Sequence, residues 1–335
     1  MSTPLREKRL TWRSGGWILF LAIALTTAGT VWNLAPLLRP GRERPRGDGR
    51  TAASYGFTLE PSLAPPARIV SSGMVADALP ALTDPAIFDA PAADAARAGR
   101  GRYLVPSDKV AGVVAGGAAR AYPLRVLVWH EVVNDTVGGT PIAVTYNPLS
   151  GGLAVFDRRA GGEALELGVS GLLYQSGLLM YDRRPGHRGE SLWSQLQSRA
   201  ITGPAAGAGR TLAWVPLALC RWDDWRAAHP ETTVLAPIPG EEEKYGQDVY
   251  GSYLGAEDLR FPVDPLPPTG PLPWKSRVLV TGTPGAWKVT PLAVPGGETR
   301  PEVVSPFGAT PILGIYAFWF AWYATHADDP GTVAP

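Results

Sequence analysis

Residues 109–124 read KVAGVVAGGAARAYPL. An apolar run, a Gly-Gly pair and a second run of similar length form a β-hairpin signature. Residues 277–292, RVLVTGTPGAWKVTPL, repeat it. Downstream of each hairpin lies the frame W-x2-W-x3-H, first as RWDDWRAAH (221–229) and then as FWFAWYATH (318–326). Trp222, Trp225 and His229 thus correspond to Trp319, Trp322 and His326. Two patterns recurring in the same order predict an internal duplication. The first copy runs over about 103–236 and a shorter second copy over about 275–332, each ending in a Trp-rich helix.

The first copy holds more between its hairpin and its helix. TPIAVTY (140–146), LAVFD (153–157), EALELG (163–168), GLLMYD (177–182) and SLWSQ (191–195) are strand-like, at the spacing of an all-β unit. PLALCRWDDWRAAHPET (216–232) breaks the pattern, with Leu217, Leu219, Trp222, Trp225 and Ala228 near helical spacing and Pro230 as a stop. The expected fold is mainly β with a few helices (α+β). PILGIYAFWFAWYAT (311–325) carries no charge, but it is shorter than the roughly 20 residues a membrane helix needs and reads as a buried helix.

Composition narrows the function. The chain has 335 residues, 45% hydrophobic and 18% charged, enough for a packed core. A net charge of +1 argues against nucleic acid as a partner. Gly 39 and Pro 34 favour many turns and short strands. With Cys220 as the one cysteine, an internal disulfide and a Cys-rich metal site are excluded. There is no P-loop and no G-x-G-x-x-G fingerprint to support nucleotide binding.

The amino terminus points to a membrane. Residues 17–38, WILFLAIALTTAGTVWNLAPLL, are uncharged and long enough to span a bilayer as a helix. Arginines and lysines flank both ends, so the positive-inside rule is close to balanced. A cleaved signal peptide is the rival, but the run is long for one and no clear A-x-A site follows. The expected plan is a cytoplasmic basic tail (1–16), a transmembrane anchor (17–38), a flexible linker rich in Arg, Gly, Pro and Ala (39–65) and an extracytoplasmic globular domain (66–332).

Several long stretches carry a family resemblance. AYPLRVLVWHEVVNDTVGGTPIAVTYNPLSGGLAVFDRR (121–159), GVSGLLYQSGLLMYDRR (168–184), SLWSQ (191–195) and FWFAWYATH (318–326) occur in order. Together they resemble the domain-of-unknown-function 3179 family over most of about 75–330. The resemblance implies a bacterial or archaeal protein, exported or anchored, and implies no particular activity. Many members place a C-P-L-C-like pattern in the turn that here reads Asn147-Pro-Leu-Ser150. A cysteine pair at that spacing suits a soft metal or thiol–disulfide cycling, and Asn and Ser suit neither.

The polar residues that remain are few. His130-Glu131 begins like H-E-x-x-H, but the second histidine position holds Asn134, a poor zinc ligand. No metal and no cofactor is therefore expected. Asn134 and Asp135 read as turn formers. FDRR (156–159) and YDRR (181–184) repeat an aromatic-Asp-Arg-Arg motif, and Arg158 and Arg183 suit an anion at a pocket mouth, since guanidinium forks match carboxylates. Neither Ser150 nor Ser170 sits in G-x-S-x-G. The expected ligand pocket draws on Tyr146, Asn147, Asp157, Arg158, Tyr181 and Arg183 beside His130, Glu131 and Ser150. The role this favours is ligand binding or an accessory, scaffolding one, with a small anionic ligand or a protein as partner. The alternative is a hydrolase with His130 as base and Ser150 or a bound water as nucleophile.

Overall fold

The computed structural model describes residues 46–98, 101–270, 272–292 and 305–333. The expected basic tail, the expected membrane span and the first part of the expected linker lie outside the described residues. Among the described residues, no helix is long and apolar enough to cross a membrane.

The principal elements follow in chain order. β1 (Lys109–Ala115) and β2 (Ala118–Pro123) lead into helix α1 (Leu124–His130). Then come β3 (Val132–Val137), β4 (Thr140–Asn147), β5 (Gly152–Asp157), β6 (Leu167–Tyr174), β7 (Gly177–Asp182), β8 (Leu192–Ser194) and β9 (Arg199–Thr202). β10 (Leu217–Arg221) and α2 (Trp222–Ala228) close the first half, and β11 (Arg277–Thr281), β12 (Lys288–Pro291), β13 (Ile315–Phe318) and α3 (Trp319–Thr325) close the second.

The chain is mainly β with a few short helices. The central sheet runs β3-β4-β5-β13-β11-β12, with the short strands Leu82–Thr83 and Thr332–Val333 at its ends. One five-stranded sheet is built from Ile69–Ser71, β6, β7, β8 and β9. Another runs β10-β1-β2, then Thr233–Leu235 and Ile87–Asp89. Side chains alternate across a strand with period two, so the central sheet feeds two cores. Val133, Ile142, Val144, Tyr146, Leu153 and Val155 join the core against the β10-β1-β2 sheet. Val132, Ala143, Ala154 and Phe156 join the core against the β6–β9 sheet. Burial of both faces explains why β4 and β5 read as nearly unbroken apolar runs.

The two hairpins are built alike. In the first, β1 pairs with β2, with Val110 opposite Pro123, and with β10, with Lys109 opposite Arg221. In the second, β11 pairs with β12, with Val278 opposite Pro291, and with β13, with Arg277 opposite Phe318. Each hairpin then takes a parallel strand on its far side, Thr233 opposite Arg120 and Thr332 opposite Lys288. The tryptophan that starts each helix donates its backbone N–H to the residue before the hairpin, Trp222 to Asp108 and Trp319 to Ser276. Trp225 and Trp322 each bury their ring against the histidine four residues on, with centroids 4.0 and 3.7 Å apart.

Three expectations shift. The helices expected over 216–232 and 311–325 are both shorter, because Leu217–Arg221 and Ile315–Phe318 form strands β10 and β13 and only Trp222–Ala228 and Trp319–Thr325 are helical. Leu217 and Leu219 obey the two-residue period equally well, and the free edge of β1 claims them. Residues 46–65, expected as linker, pack instead: Tyr55, Phe57 and Ala64 are buried against β6, β7 and β9 residues. Arg46 reaches Glu190 and lies over the Phe57 ring. Asn134 and Asp135 are strand residues rather than turn formers. The Asn134 amide exchanges two hydrogen bonds of 2.9 Å with the backbone of Leu167, and Asp135 receives Arg120 and the Tyr122 hydroxyl at 2.7 Å.

Candidate functional site

The site begins where α1 ends. Leu127 O accepts the Glu131 N–H at 2.7 Å and closes the last helical turn. Glu131 itself takes φ 54 and ψ −31, a left-handed corner that favours glycine. Val132 then starts β3. The corner separates two neighbours that look like a pair in sequence. His130 turns to one side, where its Nδ1 lies 2.8 Å from Pro80 O and its Nε2 lies 3.0 Å from the Tyr245 hydroxyl. Glu131 turns to the other, toward the β4–β5 turn.

That turn is held by its own polar atoms. Asn147 ends β4, and its Oδ1 accepts both the Ser150 N–H and the Ser150 hydroxyl at 2.9 Å. Such a side-chain-to-backbone closure is a property of Asn before a tight turn. Gly151 has φ 63, and a Cβ there would stand 2.8 Å from the Phe318 ring. A Cβ on Gly152 would stand 2.3 Å from the Gln195 side-chain oxygen. The Ser-Gly-Gly run therefore meets two demands, a left-handed backbone and close approach from two sides. Gln195 Nε2 donates to Thr145 Oγ1 at 2.9 Å and to Gly152 O at 3.2 Å. Phe318 N donates to Ser150 O at 2.7 Å. The SLWSQ and FWFAWYATH stretches thus converge on this turn.

Beneath the turn is a cavity of about 300 Å³. Its inner end holds Glu131 and Asn147, joined by a 3.1 Å hydrogen bond from Asn147 Nδ2 to Glu131 Oε1. Among the described residues, Asn147 is the only hydrogen-bond partner of the Glu131 carboxyl. Leu149, Val169, Leu172, Leu173 and Leu178 supply the apolar wall. Strand β6 bulges between Val169 and Leu173, which opens room along this wall. The Ser170 hydroxyl fastens the bulge by accepting the Leu172 N–H at 3.0 Å and donating to Leu179 O. Tyr250, Arg260 and Phe261 cover the cavity from the other side. Tyr253 anchors that cover, its hydroxyl donating to Leu149 O at 2.7 Å.

Burial sets the charge state. Glu131 is 4% exposed, and loss of solvent pushes its carboxyl up to about 8, with the Asn147 hydrogen bond pulling weakly the other way. At neutral pH it is mostly a neutral acid. Burial, helped by the nearby Glu131 charge, pushes the Tyr250 phenol up to about 12. His130 is held below the usual imidazole range, first by burial.

The structure divides the residues expected to share a pocket. Glu131 and Asn147 line the cavity, and Ser150 reaches it through Asn147. Tyr146 does not, since it is the neighbour of Asn147 on a strand and faces the opposite core. Asp157 sits at the far end of β5, roughly 17 Å from Gly152 at strand rise, and pairs with Arg159. Arg158 donates to Leu165 O at 2.8 Å. Tyr181 and Arg183 share a separate cluster with Asp77, where Arg183 also pairs with Glu166. Arg183 is thus engaged by two carboxylates of its own chain, and neither Arg158 nor Arg183 lines the cavity.

The same geometry bears on hydrolysis. Both ring nitrogens of His130 are engaged away from the turn, and the Ser150 hydroxyl is bound to Asn147. A base must lie within hydrogen-bond reach of its nucleophile, directly or through one water, and the two side chains make no such direct contact. Among the described residues, no three His, Cys, Asp or Glu side chains are grouped to hold a metal ion. Met74, Leu79, Tyr250, Arg260 and Phe261 escaped the sequence reading. They lie in loop segments with no periodicity, and only their folding over the turn makes them neighbours.

No curated protein and no solved structure matches this chain. Residues 76–296 match the family model described as "Protein of unknown function (DUF3179)", a span that holds the turn and most of the cavity wall, and the chain belongs to that family.

Proposed function

We propose that this protein is a membrane-anchored, extracytoplasmic binding protein whose cavity under the Asn147 turn receives a small, largely apolar molecule. The observation that carries this reading is the cavity itself. It has about 300 Å³, at the lower end of small-molecule sites, with apolar walls and one buried carboxyl whose only partner among the described residues is Asn147. A buried acid at a left-handed corner is costly to hold, and sites of that kind cluster where ligands bind. The anchor rests on the uncharged run of residues 17–38. The internal duplication belongs to the same proposal, and the matching registers of the two hairpins support it.

Ala78 lines the cavity and is exposed, so Ala78→Trp plugs the mouth without disturbing the core. A thermal-shift screen of small apolar molecules tests the proposal. Compounds that raise the unfolding temperature of the wild type should leave Ala78→Trp unmoved. Equal shifts in both proteins, or none in either, would leave a scaffold role in its place.

A further inference from the structure

Among the described residues, Arg260 is the arginine that lines the cavity. Among the described residues it makes no ion pair. Its guanidinium lies over the rings of Tyr250 and Tyr253, 5.6 and 5.0 Å from their centroids. Aromatic shelves hold a guanidinium by its face and leave its N–H edge unspent. Arg260 is exposed while Glu131 is buried, so the two mark the mouth and the inner end of one cavity. The neighbouring cation, Lys275, is already engaged, donating to Tyr253 O and Ala256 O at 2.7 Å.

We infer, resting on the binding role proposed above, that the cavity takes a monocarboxylate with an apolar body, its carboxylate on Arg260 at the mouth and its body running inward to Glu131. Leu149, Leu173 and Phe261 line the same cavity and supply its apolar wall. With Glu131 neutral, the cation that lines the cavity is Arg260, which a monoanion balances. A cationic ligand would pass Arg260 on entry and would need Glu131 to ionise in an apolar sleeve. A guanidinium edge also fits a carboxylate with two parallel hydrogen bonds.

Calorimetric titration of the full chain with octanoate, 1-octanol and octylamine tests this, with Arg260→Gln and Ala78→Trp alongside. Octanoate should bind more tightly than 1-octanol by up to about fivefold, the range of a partly exposed ion pair. Arg260→Gln should erase that difference while still binding 1-octanol, and Ala78→Trp should bind neither. Equal affinities for acid and alcohol, unchanged in Arg260→Gln, would overturn the carboxylate inference and leave the cavity reading standing. Tightest binding of octylamine would overturn it in favour of a cation at Glu131. If none of the three binds the wild type, or if Ala78→Trp binds them equally well, the cavity reading itself falls.

Discussion

Glu131→Gln should flatten the pH dependence of stability. Gln keeps the size and the hydrogen-bonding edge of Glu131 but cannot ionise. In the folded chain the Glu131 carboxyl is raised by burial to about 8, against 4.5 for the free side chain. The folded state therefore holds a proton that the unfolded state has released between those values. Stability from this group is fully present below the unfolded value and is lost as pH rises through about 8. Each pH unit in that window removes ~1.4 kcal/mol. From pH 5 to pH 9 the loss is about 4 kcal/mol, set by the two end values. Urea unfolding of wild type and Glu131→Gln across that range isolates the term, because the other titrating groups are common to both. The wild-type curve should fall relative to the variant by that amount, with the steepest change between pH 5 and 8. Parallel curves would refute the reasoning, since they would mean that Glu131 is solvated or paired in the folded state.

Other perturbations probe the frame around the cavity. Gly151→Ala forces a Cβ into a left-handed position against the Phe318 ring and should cost about 2–4 kcal/mol in chemical denaturation. Arg120→Met leaves the buried Asp135 carboxylate without its main partner, and about 3 kcal/mol should be lost. Trp225→Phe and Trp322→Phe each remove one indole hydrogen bond, to Thr232 Oγ1 and Pro330 O, and should destabilise by similar amounts of about 1–2 kcal/mol. Cys220 is fully buried, with its thiol pushed up to about 12 by burial and the nearby Asp224 and Asp223, so alkylation should proceed only after unfolding.

The legible part of this sequence was the part with a period. The hairpin at 109–124 and the strands flanking the Asn147 turn carry local patterns and form where those patterns lie, whereas the Trp-rich helices form only over Trp222–Ala228 and Trp319–Thr325. Leu217–Arg221 misled because a short run of four apolar residues satisfies both a strand and the first turn of a helix. His130 and Glu131 were expected in one pocket because a reading along the chain ignores the corner at Glu131. Tyr146 and Asn147 were grouped as neighbours, whereas a strand sends neighbours to opposite faces. The cover of the cavity was illegible for a different reason. Tyr250, Arg260 and Phe261 lie about a hundred residues beyond the turn, in a segment rich in Gly, Pro and charge, and only tertiary packing brings them over Glu131.

His326 caps the second Trp-rich helix. A histidine at a helix C-terminus suits the helix dipole as a cation. Here burial holds its imidazole down to about 4, so it is neutral and stacks on Trp322. The second helix end is thus settled by ring packing rather than by charge.

The most direct test of the binding account is native mass spectrometry of the full chain, purified without added ligands and then exposed to a saturating small apolar molecule. The account predicts a bound mass on the wild type that is absent from Ala78→Trp. A bare polypeptide mass under both conditions, or the same added mass on both proteins, would contradict it.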